Sequence, residues 1–229
     1  MTTIFESEVT CAVCGAKQTV QELGSTSSFG AMDLDTRPPE LQRSTMDHWV
    51  HECDECGYVA SDLGDADEAG QMTSVWHAYL AELHSTQRPR LANRFLCRSL
   101  LDEAAGDRTA AGWRRLHAAW ACDDAEQAEE ARVQRRAALE HFERARAAGR
   151  RVMKSVVGGD EVLLADIARR AGEFGQAAEY CAAGLALPEV PAFVAKLLFL
   201  EQEFIAARDA GRHRVSEADE TGDTLGTVH

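Results

Sequence analysis

Four cysteines are the residues best placed to do chemistry. Cys11 and Cys14 lie in Cys-Ala-Val-Cys-Gly, and Cys53 and Cys56 lie in Cys-Asp-Glu-Cys-Gly-Tyr. The glycine that follows each Cys-x-x-Cys lets the backbone turn and aim its N–H groups at the sulfurs. Two such knuckles supply four thiolates, enough to close a tetrahedral zinc site with no position left for water. That chemistry is structural. A redox dithiol would want a Cys-x-x-Cys opening a helix within a βαβ pattern, which neither pair does; an iron–sulfur cluster is the remaining alternative. His48 and His51 lie close enough to replace a cysteine, but read more simply as exposed strand residues. Cys97, Cys122 and Cys181 each fall inside an expected helix and read as small buried apolar residues.

Outside the knuckles, one loop carries reactive groups: Asp33-Leu-Asp35-Thr-Arg37-Pro-Pro-Glu40. In an extended chain Asp33 and Asp35 fall on the same side. Together with Arg37 and Glu40 they could form a magnesium ligand set or a peptide-binding lip, although acidic residues beside prolines commonly form solvated turns. Seven arginines between Arg132 and Arg151 invite a nucleic-acid reading. Glutamates accompany them, with Glu140 and Arg144 at a favourable i,i+4 spacing, so a salt-bridged solvent face fits better. The basic stretch from Arg144 to Lys154 has no interleaved aromatic residue for base stacking. No Ser/His/Asp order, His-Glu-x-x-His helix or Gly-x-x-x-x-Gly-Lys loop is present.

Charge separates the chain further. Residues 1–88 carry 15 acidic and 4 basic side chains, a net of −11, out of −14 for all 229 residues. Glu52, Asp54 and Glu55 surround the second knuckle, and a cation bound by four thiolates would add more negative charge. Phosphate binding at the knuckles is therefore disfavoured. No apolar run is long enough to cross a membrane, and the first residues lack the basic and apolar regions of a signal peptide. The expected compartment is the cytoplasm, where unpaired thiols persist.

The elements that position these residues follow from pattern. Residues 1–62 read as a β-rich, zinc-ribbon-like module, with strands at Lys17–Leu23 and His48–Glu52. The 38 residues between the knuckles exceed what a minimal ribbon needs, and residues 24–47 form a long inserted loop rich in Gly, Ser and Pro. Residues 63–89 read as an acidic linker and a helix at about 73–85. Residues 90–210 are helical, with helices at about 91–104, 109–122, 125–148, 160–171, 174–186 and 191–210. Residues 211–229 are polar, lack periodicity and read as a disordered tail. The fold class is α+β and mostly α.

Within the helical part, residues 163–188 resemble a tetratricopeptide repeat. Gly172 sits in the turn, Phe174 and Ala177 open the second helix, and Gly184 is small where helices cross. A looser copy surrounds Gly106, 66 residues earlier, near two periods of about 34. An irregular bundle is the alternative. The two knuckles, with Leu116-His-Ala-Ala-Trp-Ala, resemble an uncharacterised bacterial family, a domain of unknown function with tetratricopeptide-like helices. The resemblance covers most of residues 8–205, and the Asp33–Glu40 loop and the acidic tail depart from it. It implies architecture and no activity. The expectation is a non-enzymatic, zinc-binding adaptor that recognises a protein through its helical repeats. A nucleic-acid-associated regulator is the alternative, and a metal-dependent enzyme using the Asp33–Glu40 loop is a further one.

Overall fold

The computed structural model describes residues 1–66, 70, 76–153 and 156–220. These are mostly helical, with two small antiparallel ladders. Strands β1 (Thr3–Thr10) and β2 (Lys17–Ser25) pair from Thr3 with Ser25 to Thr10 with Lys17, and the first knuckle is the turn between them. Strand β2 begins where the sequence places it. Its partner β1 has no sequence signal, because most of its side chains are exposed and no apolar face marks it. Strands β3 (His51–Glu52) and β4 (Val59–Ala60) flank the second knuckle in the same way. The strand expected to start at His48 does not. A 3-10 helix spans Arg43–His48 instead, and Trp49 closes its end by donating from its backbone N–H to the Met46 carbonyl at 3.1 Å. That turn buries Met46 and Val50 together and lets the Trp49 indole N–H reach Thr45 Oγ1 at 3.0 Å.

Helices follow as α1 (His77–Leu83), α2 (Arg90–Ala104), α3 (Arg108–Asp124), α4 (Ala128–Ala147), α5 (Gly159–Ala171), α6 (Phe174–Leu185), α7 (Ala192–Ala206) and α8 (Glu217–Glu220). The chain forms two compact units. Residues 1–28 and 40–145 make the first; residues 29–39 and 146–229 make the second. These divisions differ from the sequence boundaries at 62 and 89. Residues 63–66 belong to the knuckle module, not to a linker: Leu63 is buried, and its carbonyl accepts from Ala12 N–H at 2.8 Å. Most of the expected linker beyond them lies outside the described residues, as does the start of the helix expected at 73. The tail differs as well. Residues 211–220 are structured, with Val215 N–H donating to the Met32 carbonyl at 3.0 Å and Ala218 buried; residues 221–229 lie outside the described residues.

In the first unit, α2 and α3 form a hairpin turned at Gly106, whose φ of +80° suits glycine. Gly112 lies against Phe142 so closely that a Cβ would come within 2.6 Å of the ring. Helix α4 buries a charged residue and exposes an apolar one. Val133 is exposed, while Arg135 is buried and forms a two-pronged pair with Asp123, its Nη1 at 3.1 Å and Nη2 at 2.5 Å from the two carboxylate oxygens. The Glu140–Arg144 pair is present on the solvent side at 3.8 Å.

In the second unit, α5 and α6 form a hairpin turned at Gly172, with φ of +87°. A Cβ at Gly184 would meet Leu198 at 2.7 Å and Glu161 at 2.8 Å, so this position must stay small for the helices to close. Every residue of α5 is buried, five charged ones included. Asp160 accepts from the N–H groups of Val152 and Met153. Glu161 pairs with Arg146 at 2.5 Å, and Arg170 with Asp35 at 2.6 Å. Arg169 donates to Asp166, to Glu201 of α7 at 2.7 Å, and to the carbonyls of Asp209 and Gly211 at 2.7 and 2.9 Å. A buried charge is tolerated only with such partners.

Burial pushes the Glu201 carboxyl well above the ordinary 4.5, and neighbouring Asp166 adds to this against the pull of Arg169. The folded protein then keeps a proton at Glu201 that the unfolded chain has released. Unfolded chains bind fewer protons in this window, so the Glu201 contribution weakens as pH rises above about 4.5 through the raised folded value. Glu201→Gln should match the parent near pH 4.5 and gain on it as pH rises, by up to about 1.4 kcal/mol per pH unit within the window. Thermal unfolding of both proteins from pH 4.5 to 9 measures the difference; a Gln variant that falls behind at high pH would show an ionised Glu201.

Candidate metal centre

The knuckles converge. The sulfurs of Cys11, Cys14, Cys53 and Cys56 all lie within 4.8 Å of one another, with Cys11–Cys56 at 3.8 Å and Cys14–Cys53 at 3.6 Å. Metal–sulfur bonds of about 2.3 Å in a tetrahedron place sulfurs about 3.8 Å apart. A disulfide would need about 2.05 Å, and all seven cysteines are free. Neither His48 nor His51 enters this group. His48 Nδ1 is bound to the Gln21 carbonyl at 3.0 Å, and His51 is half-buried, which lowers its pKa.

Local backbone explains the convergence. In the first knuckle, Cys11 N–H donates to the Ala16 carbonyl and Gly15 N–H to the Cys11 carbonyl, both at 2.8 Å. The second repeats the pattern: Cys53 to Tyr58 at 2.8 Å and Gly57 to Cys53 at 2.9 Å. Gly15 and Gly57 have φ of +74° and +72°, a left-handed conformation that disfavours any Cβ. Around Gly15 there is open space, whereas a Cβ on Gly57 would come within 2.4 Å of Leu83 on α1.

Three further residues hold the knuckles; Tyr58 directly follows the second, and the Cys-x-x-Cys pattern marks neither Gln18 nor Tyr79. Gln18 spans from the first knuckle to the second: its Nε2 donates to the Glu52 carbonyl at 2.9 Å, and its Oε1 accepts from Asp54 N–H at 3.0 Å. Tyr79 of α1, fully buried, donates its hydroxyl to the Gly57 carbonyl at 2.9 Å and accepts from Val59 N–H at 3.0 Å. Tyr58 donates to the Asp65 carbonyl at 2.7 Å. A glutamine in a strand and a tyrosine in a short helix carry no spacing signal toward distant cysteines.

As thiols, the four are tuned unequally. Burial pushes Cys53 and Cys56 up, while the backbone N–H of Ala16 draws exposed Cys14 down. A dication at the centre would favour the thiolate at each. The other cysteines keep their protons: burial lifts Cys97 and Cys181 to about 12 and Cys122 to about 11, as for small core residues.

The Asp33–Glu40 loop is not the extended acidic strip of the sequence reading. Thr36 N–H donates to the Asp33 carbonyl in a tight turn, and Asp33, Asp35 and Arg37 are buried. Asp35 pairs with Arg170, while Asp33 lies 3.9 Å from Arg212. Glu40 belongs to the first unit, where it accepts from Ser44 at 2.6 Å. Among the described residues the group suited to a metal is the four cysteines, while Asp33 and Asp35 face arginines and Glu40 faces Ser44. The basic stretch lines a cleft of about 380 Å³ with Arg146, Arg150 and Arg151, but Asp160 and Glu161 share its walls, and Arg151 donates to the Val156 carbonyl. None of the helices among the described residues is long and apolar enough to cross a membrane.

No protein-family profile, curated protein or solved structure matches this chain. The four-cysteine cluster and the mostly helical remainder are therefore established by the chain's own geometry.

The two glycines should respond differently. Gly15→Ala should cost about 1–2 kcal/mol from its backbone conformation alone, and Gly57→Ala about 1–3 kcal/mol more from the Leu83 clash, read as urea midpoints. Gln18→Ala should weaken zinc binding at least about tenfold, measured by competition with a chromophoric chelator.

Proposed function

We propose that this protein is a zinc-stabilised, non-enzymatic adaptor whose cysteine cluster is a structural pin and whose helices recognise a protein partner. The observation that carries the reading is the set of four sulfurs at the edge length of a zinc–thiolate tetrahedron. Four protein ligands complete that coordination and leave no place for an activated water. The knuckle module has two short ladders and little core of its own, the situation in which metal binding supplies folding energy. Free thiols of this kind persist in a reducing compartment, which supports a cytoplasmic setting.

The partner surface on this reading is helical. The α5–α6 hairpin, with Gly172 at its turn and Gly184 at its crossing, has the features of a tetratricopeptide unit, and the α2–α3 hairpin has a left-handed glycine at the same place. Helical hairpins of this kind present extended faces to other proteins. Nucleic acid is the weaker reading, because the arginines of the basic cleft share it with Asp160 and Glu161.

The purified protein should hold one zinc per chain, released by a mercurial that titrates the four thiols and detected with a zinc-sensing dye. Release should unfold the first unit's knuckle module, seen as loss of dispersed amide signals for residues 3–25 and 51–60. A module that remains folded with no zinc released would overturn the structural-metal reading. Capture from lysate with the parent but not with Cys53→Ser would support the adaptor role; equal capture by both would separate partner recognition from the metal.

A further inference from the structure

The second unit encloses a hollow that none of its own described side chains fills. It measures about 280 Å³. Val162 and Leu163 of α5 form one wall, and Val194 and Leu197 of α7 another. The inserted segment contributes Met32 and Leu34, and Val215 comes from the stretch before α8. Val162, Leu163, Val194 and Leu34 are buried, while Met32 and Phe193 are 46% and 57% exposed, so the apolar lining continues outward to a rim. Gly159 lies in the wall without a side chain, and a Cβ there would meet Val156 at 2.8 Å, so the wall is already tight on that side.

We infer that this cavity is a binding site for a small neutral molecule with a single aliphatic chain. The lining is almost wholly apolar and offers water few hydrogen-bond partners, so an apolar solute is favoured over water there. Counting about 30 Å³ per methylene-sized group, the space takes a chain of roughly eight to ten carbons. Among the described residues, Asp33 and Thr36 are the polar side chains of the lining. Asp33 brings a buried carboxylate to the wall and no described lining residue is cationic, with Arg212 outside the lining and 3.9 Å from Asp33, so the wall is unfavourable to a second carboxylate. A neutral head group avoids that repulsion. The inference is independent of the metal reading, since all of these residues belong to the second unit and the cysteines to the first.

The experiment titrates the full-length protein with 1-hexanol, 1-octanol, 1-decanol and 1-dodecanol, and with octanoate, following the methyl signals of Val162 and Val194 by NMR. Affinity should rise about fourfold per methylene, the equivalent of ~0.8 kcal/mol each, up to about eight to ten carbons and then level off. Octanoate at pH 8 should bind at least tenfold more weakly than 1-octanol. Val156→Phe and Val215→Phe, which push a ring into the space from two half-buried positions, should each cost at least tenfold in 1-octanol affinity. If both variants misfold, the chain-length break in the parent remains the test. Binding that climbs through to 1-dodecanol without a break, or shifts outside the cavity, would overturn the proposal. So would a dimer in sedimentation that 1-octanol dissociates, since a second copy would then be the occupant. Removal of residues 221–229 should leave affinity unchanged; a tenfold rise would make that segment the occupant instead.

Discussion

A helix buried on every side cannot carry an unpaired charge, and α5 carries five charged residues. The second unit is arranged around that constraint. Arg170 draws in Asp35 from a segment more than a hundred residues earlier in the chain. Arg169 pairs with Asp166 and gathers the Glu201 carboxyl of α7 and two carbonyls beyond it, and Asp160 fastens the chain entering the helix. Each contact is costly to make and more costly to break, because removing one partner leaves a charge stranded in low dielectric. Such a network favours one arrangement of segments that are otherwise held by apolar contacts among residues such as Val162, Val194, Leu198, Leu34 and Leu200. It also puts Met32, Leu34 and Val215 where they enclose an apolar hollow, so the ionic pairs and the cavity are two results of one packing solution.

The first unit solves a different problem. Its two ladders offer few buried side chains, and the knuckles lie 38 residues apart. Converging thiols can close that distance at a point, which a small hydrophobic contact cannot do. The Gln18 amide repeats the closure in hydrogen bonds, taking one donor and one acceptor from the second knuckle. Tyr79 and Leu83 then fit α1 against Gly57. The second knuckle is thus braced from both sides, by Gln18 and by α1.

The chain that leaves the first knuckle's hairpin contributes residues 29–39 to the second unit before returning to the second knuckle. The length of the loop therefore has a structural use. Asp35, which read as part of a solvated turn or a metal-binding strip, is instead the buried partner of Arg170, and Asp33 and Arg37 are buried with it. Buried polar residues look the same as exposed ones in a single sequence, because pattern records residue type and spacing but not which distant charge will arrive.

What the sequence determined by itself was set by local rules. Cys-x-x-Cys-Gly specifies its own turn, periodic apolar residues specify helices whose ends fall within a few residues of the observed ones, and Gly106 and Gly172 mark turns with a left-handed backbone. Only the tertiary structure decided the remainder: that β1 pairs with β2, that Arg135 is buried while Val133 faces solvent, that Gln18 and Tyr79 brace the knuckles, and that residues 211–220 are ordered. All of these depend on partners far away in the chain. An arginine can enter a core only when a carboxylate meets it there, and an exposed strand is fixed only by the neighbour to which it bonds.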